Sequence, residues 1–538
     1  MVVLLTMLHV ERYLSFVCTF YDMNTLKHYL CAVYFNKGNI LSALKKLAGE
    51  TVIYGVPSIV GRFLNLWLTP LYTYTFPAGE FGILSNILAY VAFFQVVLTY
   101  GMETSYFRFA GRGQEPEKVF TTSMVSLAIT SVAFIILIVG FATDISGWIS
   151  YEGHQNYVIW MGITVALDTL CAIPFAKLRL QSRPMKFAIL KSVNIALSIF
   201  LNVFWIYLCP KLLESNPDSI VRFLYNPEIG IGYAFLSYLV SSAVTLLFFI
   251  PDLKIKWSDF DSKLLHQMLK YGWPILVIGM AGMINLQIDK ILLPKLYSGT
   301  EDPIFVLGYY SAATKLAILM TIFIQAFRFS FEPFVFSHFK NEDSKKVYAV
   351  IMKYFVILGL IIFLGVMFYM DILKYFIGKT ESGYHKGLGV VPWLLMGNLF
   401  LGIFYTQSLW YKLTDQTHFG ARFAIVGAII TVGLNVLLIP LLSFMACAYA
   451  FFTASLVMTV TSYIVGQKYF PVKYDLKRIG AYFLVAMSLF MITILLPLGD
   501  KFARMGVNTI LFMIFFLFIW MKEKSDLIGL FNFKGKGK

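Results

Sequence analysis

Charge is scarce in this chain. Only 14% of its 538 residues are Asp, Glu, Lys or Arg, against about 25% in ordinary soluble domains. So little charge cannot cover the surface of a water-soluble protein of this size. Cysteine is also sparse: Cys18, Cys31, Cys171, Cys209 and Cys447 are scattered and odd in number, so they make neither a disulfide framework nor a metal site. The seven histidines show no ligand spacing, and no glycine-rich phosphate loop is present. No metal, no cofactor and no ATP-driven mechanism within the chain are expected, and no catalytic constellation stands out.

Acidic residues are the minority of the few charges, 29 against 44 basic, a net charge of +15. In a soluble protein that balance would suggest nucleic acid. Here the rest of the composition decides otherwise: 59% of the residues are hydrophobic, the mean hydropathy is +0.73, and cytoplasmic loops of membrane proteins collect Lys and Arg. A soluble enzyme, a disordered chain, a collagen and a coiled coil are excluded, and no nucleic-acid partner is expected. What remains is an all-α polytopic membrane protein.

Apolar runs long enough to cross hydrocarbon as a helix occur near 51–75, 81–107, 119–142, 157–176, 187–209, 229–250, 272–293, 304–327, 347–372, 389–411, 420–440, 443–466, 479–498 and 503–521. Fourteen crossings are therefore expected; two cancelling errors would leave twelve. Alternate loops hold 29 and 7 basic residues in sum, with 373–388 the one exception to the alternation. By the positive-inside rule both termini are expected in the cytoplasm. Residues 1–38 lack a clean apolar run and the pattern of a signal peptide; they read as an extension outside the fold.

The chain repeats itself. Tyr54-Gly55-Val56-Pro57 opens the first crossing and Tyr271-Gly272-Trp273-Pro274 the seventh. Phe81-Gly82 with Ser85 is matched by Leu307-Gly308 with Ser311, and Glu103 with Phe107 by Glu332 with Phe336. Leu201-Asn202-Val203 returns as Leu434-Asn435-Val436. The order predicts two pseudo-symmetric six-helix lobes in the same orientation, followed by a helix pair. The expected boundaries are 39–250 for helices 1–6, 251–467 for helices 7–12, 468–521 for helices 13–14, and a basic cytoplasmic tail over 522–538.

A charge at bilayer depth costs at least about 2.5–3.5 kcal/mol and should face a cavity or a partner. Arg62 falls near mid-depth of the first crossing, as do Asp168 in the fourth and Lys315 in the eighth. Asp289 and Lys290 lie toward the end of the seventh. They are neighbours on a helix and point about 100° apart, so they cannot share a face. Ion pairs Asp168–Lys315 or Arg62–Asp168 are the structural alternative to a functional role. Glu103, Arg108, Arg112, Arg328 and Glu332 gather at the inner ends, either as ordinary positive-inside loops or as a vestibule for an anionic headgroup. Pro57 and Pro274 interrupt the lead helix of each half and are candidate hinges.

The segment LKKLAGETVIYGVPSIVGRFLNLWLTPLYTYTFPAGEFG (Leu44–Gly82), followed by TYGMETSYFRF (Thr99–Phe109), resembles polysaccharide-biosynthesis flippases of the O-antigen type. These belong to the multidrug/oligosaccharidyl-lipid/polysaccharide exporter superfamily, which is MATE-like. The resemblance implies two lobes around a central cavity in a bacterial inner membrane. It also implies movement of a lipid-diphosphate-linked glycan to the outer leaflet by alternating access. Arg62, within Val60-Gly61-Arg62-Phe63, is the position carried over as a substrate-binding cation. Lys290, Lys315 and Arg328 join it on depth alone. Coupling to protons or sodium is plausible in this superfamily, with Asp168 and Asp289 as candidate carriers. Membrane lipids and a glycan polymerase or glycosyltransferases are the implied partners. A cation-coupled multidrug exporter of the same superfamily is the alternative.

Overall fold

The computed structural model describes residues 59–532 apart from 112–113, 150, 339–343, 415 and 497–498. Pro57, Arg112, the 1–38 extension and the side chain of Glu332 lie outside the described residues. Helix α1 covers 59–75. Thirteen further helices are long and apolar enough to cross a membrane: α2 Ala78–Ala110, α3 Pro116–Gly140, α4 Gln155–Leu180, α5 Pro184–Ser215, α6 Gly232–Asp252, α7 Ser262–Leu296, α8 Pro303–Phe329, α9 Lys345–Phe368, α10 Tyr384–Leu413, α11 His418–Leu442, α12 Phe444–Tyr469, α13 Leu476–Leu495 and α14 Lys501–Lys524. Each falls on one of the apolar runs, as it must when a backbone in lipid can satisfy its polar groups only within its own helix.

Local chemistry sets the ends and breaks. Pro116, Pro184 and Pro303 open their helices at positions where no backbone N–H is needed. Asp261 accepts hydrogen bonds from the N–H of Lys263 and Leu264 at 2.8 and 3.1 Å and so caps α7. Helix α2 breaks at Tyr100-Gly101, where both residues have positive φ (31° and 72°). Helix α5 widens into a π-turn over Phe204–Leu208 just before Pro210, which absorbs the hydrogen bond that the proline cannot make. Helix α7 runs unbroken through Pro274.

Val52–Phe483 forms one compact unit, which holds α1–α12; the chain from Leu484 onward belongs to a second. Within the first unit the helix packing repeats six helices later. Helix α4 packs on α2, α3 and α6, and α10 packs on α8, α9 and α12. Helix α5 packs on α6, and α11 on α12. Helices α1 and α5 are joined by the Tyr72 hydroxyl donating to Asn202 Oδ1 at 2.7 Å, and α7 and α11 by Thr431 donating to Asn285 Oδ1 at 2.9 Å. The motif repeat in the sequence is thus a repeat of contacts.

The two sets of six meet chiefly through α2, which packs on α8 and α7. At the end of the bundle away from the basic loops, α2 and α8 cross at Gly82 and Gly308. A Cβ on Gly82 would collide with the carbonyl oxygen of Ile304. At the basic-loop end, Gly101 and Gly272 bring α2 against α7; a Cβ on Gly272 would stand 2.8 Å from the Tyr100 carbonyl oxygen. A buried cluster that includes Tyr106, Phe120, Ile173 and Met268 ties α2, α3 and α4 to the start of α7 there. In the exceptional loop 373–388, Lys374 pairs with Asp371 at 3.0 Å and Lys386 with Glu301 at 2.8 Å.

Candidate functional site

Two cationic groups gather where the halves face one another. The first is built on α1, α8 and α10. The Arg328 guanidinium lies over the Tyr405 ring, 4.4 Å from its centroid, and Tyr405 interacts electrostatically with both Arg328 and Arg62. Arg62 is exposed and Arg328 half-buried. One tyrosine therefore lies within electrostatic range of two arginines from different halves of the chain. An aromatic face stabilises a guanidinium without neutralising it. Guanidinium forks suit phosphate oxygens in pairs.

The second group is built on α7 and α8. Lys315 and Lys290 lie within electrostatic range of one another. Lys290 donates to Gln287 Oε1 at 2.6 Å, and its carbonyl accepts from Asn86 of α2 at 2.6 Å. Like charges held together in a bundle are costly unless an anion joins them. Counted along α7 and α8 from the end away from the basic loops at 1.5 Å per residue, Lys290 lies about 9 Å and Lys315 about 18 Å deep.

Asp289 points differently from Lys290, as adjacent helical residues must. Its Oδ2 accepts from the Tyr310 hydroxyl, while Oδ1 is buried with no hydrogen-bond partner among the described residues. Asp168 sits between α4, α5 and α6. Its Oδ1 accepts from Ser242 at 2.6 Å, and Lys191 lies within electrostatic range. Asn194 continues this polar group by donating to Thr245 Oγ1 at 2.8 Å and to the Ser241 carbonyl at 3.1 Å. The alternative ion pairs Asp168–Lys315 and Arg62–Asp168 are absent among the described residues. Helix packing gives Asp168 to Ser242 and Lys191, and brings Arg62 to Tyr405.

The vestibule residues have partners of their own. Glu103 is ion-paired with Arg179, and the Arg108 guanidinium lies 4.0 Å over the Tyr271 ring. Lys177 pairs with Glu117 at 3.1 Å and covers Phe120. Pro274 is two residues from Gly272, at the α2–α7 crossing. Sequence reasoning missed Tyr405, one of 32 tyrosines, and did not single out Lys191, which lies inside α5.

A family model described as "Polysaccharide biosynthesis protein" matches residues 47–329, more than half of the chain. The chain belongs to the polysaccharide biosynthesis protein family. An Lsg locus protein of Haemophilus influenzae is 19% identical over 346 residues, which are 63% of this chain and 78% of that protein. Among solved structures, the lipid II flippase MurJ in an inward closed conformation superposes with a TM-score of 0.68 at 14% identity, covering 89% of this chain and 100% of MurJ. An inward-facing multidrug resistance MATE family transporter of the MOP superfamily gives 0.55 at 14% identity, with 80% and 95% covered. The fold is that of MurJ and MATE transporters, as the resemblance in the sequence implied. A transporter family rather than an enzyme agrees with these findings.

Proposed function

We propose that the protein moves a lipid-diphosphate-linked glycan precursor, of the O-antigen type, from the cytoplasmic to the outer leaflet by alternating access between its two halves. The basic-loop end is then cytoplasmic, together with both termini, and the membrane is a bacterial inner membrane. The lobes are 39–250 and 251–467, with 468–521 as an added helix pair and 522–538 as a cytoplasmic tail. The observation that carries this reading is that Arg62 and Arg328, from different halves, both lie within electrostatic range of Tyr405. A charged glycan diphosphate cannot cross hydrocarbon unaided, and arginines from both halves suit a phosphate between them. Lys315 and Lys290 extend the path away from the basic-loop end. Glu103, Arg108, Arg112 and Glu332 form the cytoplasmic entrance, and Pro57 and Pro274 are the hinges. Asp168 and Asp289 are the ion carriers if a proton or sodium gradient drives the cycle. Glycosyltransferases and a glycan polymerase would supply and consume the cargo.

A multidrug exporter is the second reading, favoured by the MATE fold. Cationic drugs call for acidic residues along the path, and four cations along it argue against that. Reconstitution decides between them. The full-length protein in proteoliposomes should carry a fluorescent lipid-diphosphate-linked oligosaccharide across the bilayer. Transport of a cationic dye instead would favour the second reading.

A further inference from the structure

A chamber of about 350 Å³ opens within the second set of helices, between α7, α10, α11 and α12. That volume is in the range of ligand sites. Its walls are largely apolar: Ile278 and Leu286 from α7, Leu401 and Phe404 from α10, Phe451 and Met458 from α12. The amide of Asn285 in its wall is already engaged, donating to the carbonyls of Ala281 and Ala424 and accepting from Thr431. Tyr411, Lys412, Thr417 and Ser455 add the remaining polar groups of the lining. Tyr405 lines the chamber too, and this is the residue whose ring the Arg328 guanidinium approaches to 4.4 Å.

The repeat makes the chemistry pointed. Asn202 and Asn435 occupy equivalent places, 233 residues apart; each donates back to the carbonyl four residues earlier, at 2.8 and 2.7 Å. At the same offset Lys191 becomes Ala424 and Asn194 becomes Gly427. The first half thus puts a polar group beside Asp168 where the second half has an apolar space.

We infer that this chamber binds the phosphate-proximal isoprenoid units of the lipid-linked substrate, with Tyr405 dividing the hydrocarbon from the phosphates held by Arg62 and Arg328. The inference rests on the flippase reading and adds a place for the lipid. A phosphate at the arginines has its chain attached within reach of the chamber mouth. Charge at Tyr405 next to an apolar wall matches the two ends of a prenyl diphosphate. The remaining chain would stay in the bilayer.

The test uses full-length protein in nanodiscs and a short prenyl diphosphate carrying a photoreactive group on its second isoprene unit. Crosslinks should map to α10 and α12 around Leu401 and Phe451. Leu401→Trp and Ala454→Phe fill the space from different helices, so one reports if the other misfolds. Losing the burial of one isoprene unit should lower labelling about tenfold or more. A soluble nucleoside diphosphate sugar should bind the variants as it binds wild type. Crosslinks elsewhere, or labelling unchanged in a folded filled variant, would overturn the inference. So would labelling competed by excess phospholipid but not by unlabelled prenyl diphosphate, which would make the occupant a bilayer lipid. Flux in proteoliposomes is read separately. If the glycan lipid is moved while labelling avoids the chamber, only this inference fails; if nothing is moved, the flippase reading fails.

Discussion

Gly308 of α8 sits so close to Ala78 of α2 that any Cβ on the glycine would overlap the Ala78 carbonyl oxygen. The neighbouring pair, Gly82 and Ile304, is in the same state. The two halves are therefore closed against each other by backbone at this end. A side chain here meets a carbonyl that cannot swing aside.

Gly308→Val should hold α2 and α8 apart and lower transport strongly while the protein still inserts. Overpacking of this kind costs about 1–3 kcal/mol. Gly140→Ala is the control, since a Cβ there meets nothing within 4 Å. Crosslinking of Ala78→Cys with Leu307→Cys, efficient in the parent, should fall in the valine variant. Unchanged crosslinking would mean that this closure does not depend on the glycines.

Lys315→Gln and Lys290→Gln should each weaken binding of a lipid diphosphate by about tenfold or more, as loss of a contact to a charged group does. Isothermal titration in detergent would measure it. A zwitterionic phosphocholine lipid should bind the variants and the parent alike. Equal affinity of parent and variants for the diphosphate would remove the lysines from the path.

Asp168→Asn keeps a hydrogen-bonding group beside Ser242 and removes the charge facing Lys191. Flux should lose its response to a proton or sodium gradient while diphosphate binding stays. Asp289→Asn tests the second candidate in the same assay. If parent flux ignores both gradients, neither carboxylate is a carrier.

Tyr72 joins α1 to α5 through Asn202, which is fully buried. Tyr72→Phe leaves the Asn202 carbonyl oxygen without this donor, at a cost of about 1–3 kcal/mol. Thermal unfolding followed by tryptophan fluorescence should begin about 1–3 °C lower. An unchanged curve would mean that another donor replaces the hydroxyl.

Much of the fold was legible in the sequence because lipid imposes two rules that a sequence records directly: crossing length and loop charge. The motif repeat did the rest, and Asn202 and Asn435 do occupy matching positions. The site was legible only in depth. Counting residues places Arg62 and Lys315 deep in the bundle, but it gives no rotation and no partner. The neighbour of Arg62 is Tyr405, more than 300 residues away, and nothing periodic marks that tyrosine. Lys191 does not stand out for a related reason: a lysine near a helix start counts equally as loop charge or as a partner within the bundle. The partner that decides the matter, Asp168, lies on another helix.

The most direct measurement is flux of a lipid-diphosphate-linked oligosaccharide in proteoliposomes holding parent, Arg62→Ala and Arg62→Lys protein at equal, folded density. The account predicts no flux with alanine and reduced flux with lysine, which keeps the charge but loses the two-pronged phosphate contact. Parental flux with alanine at residue 62 would contradict it.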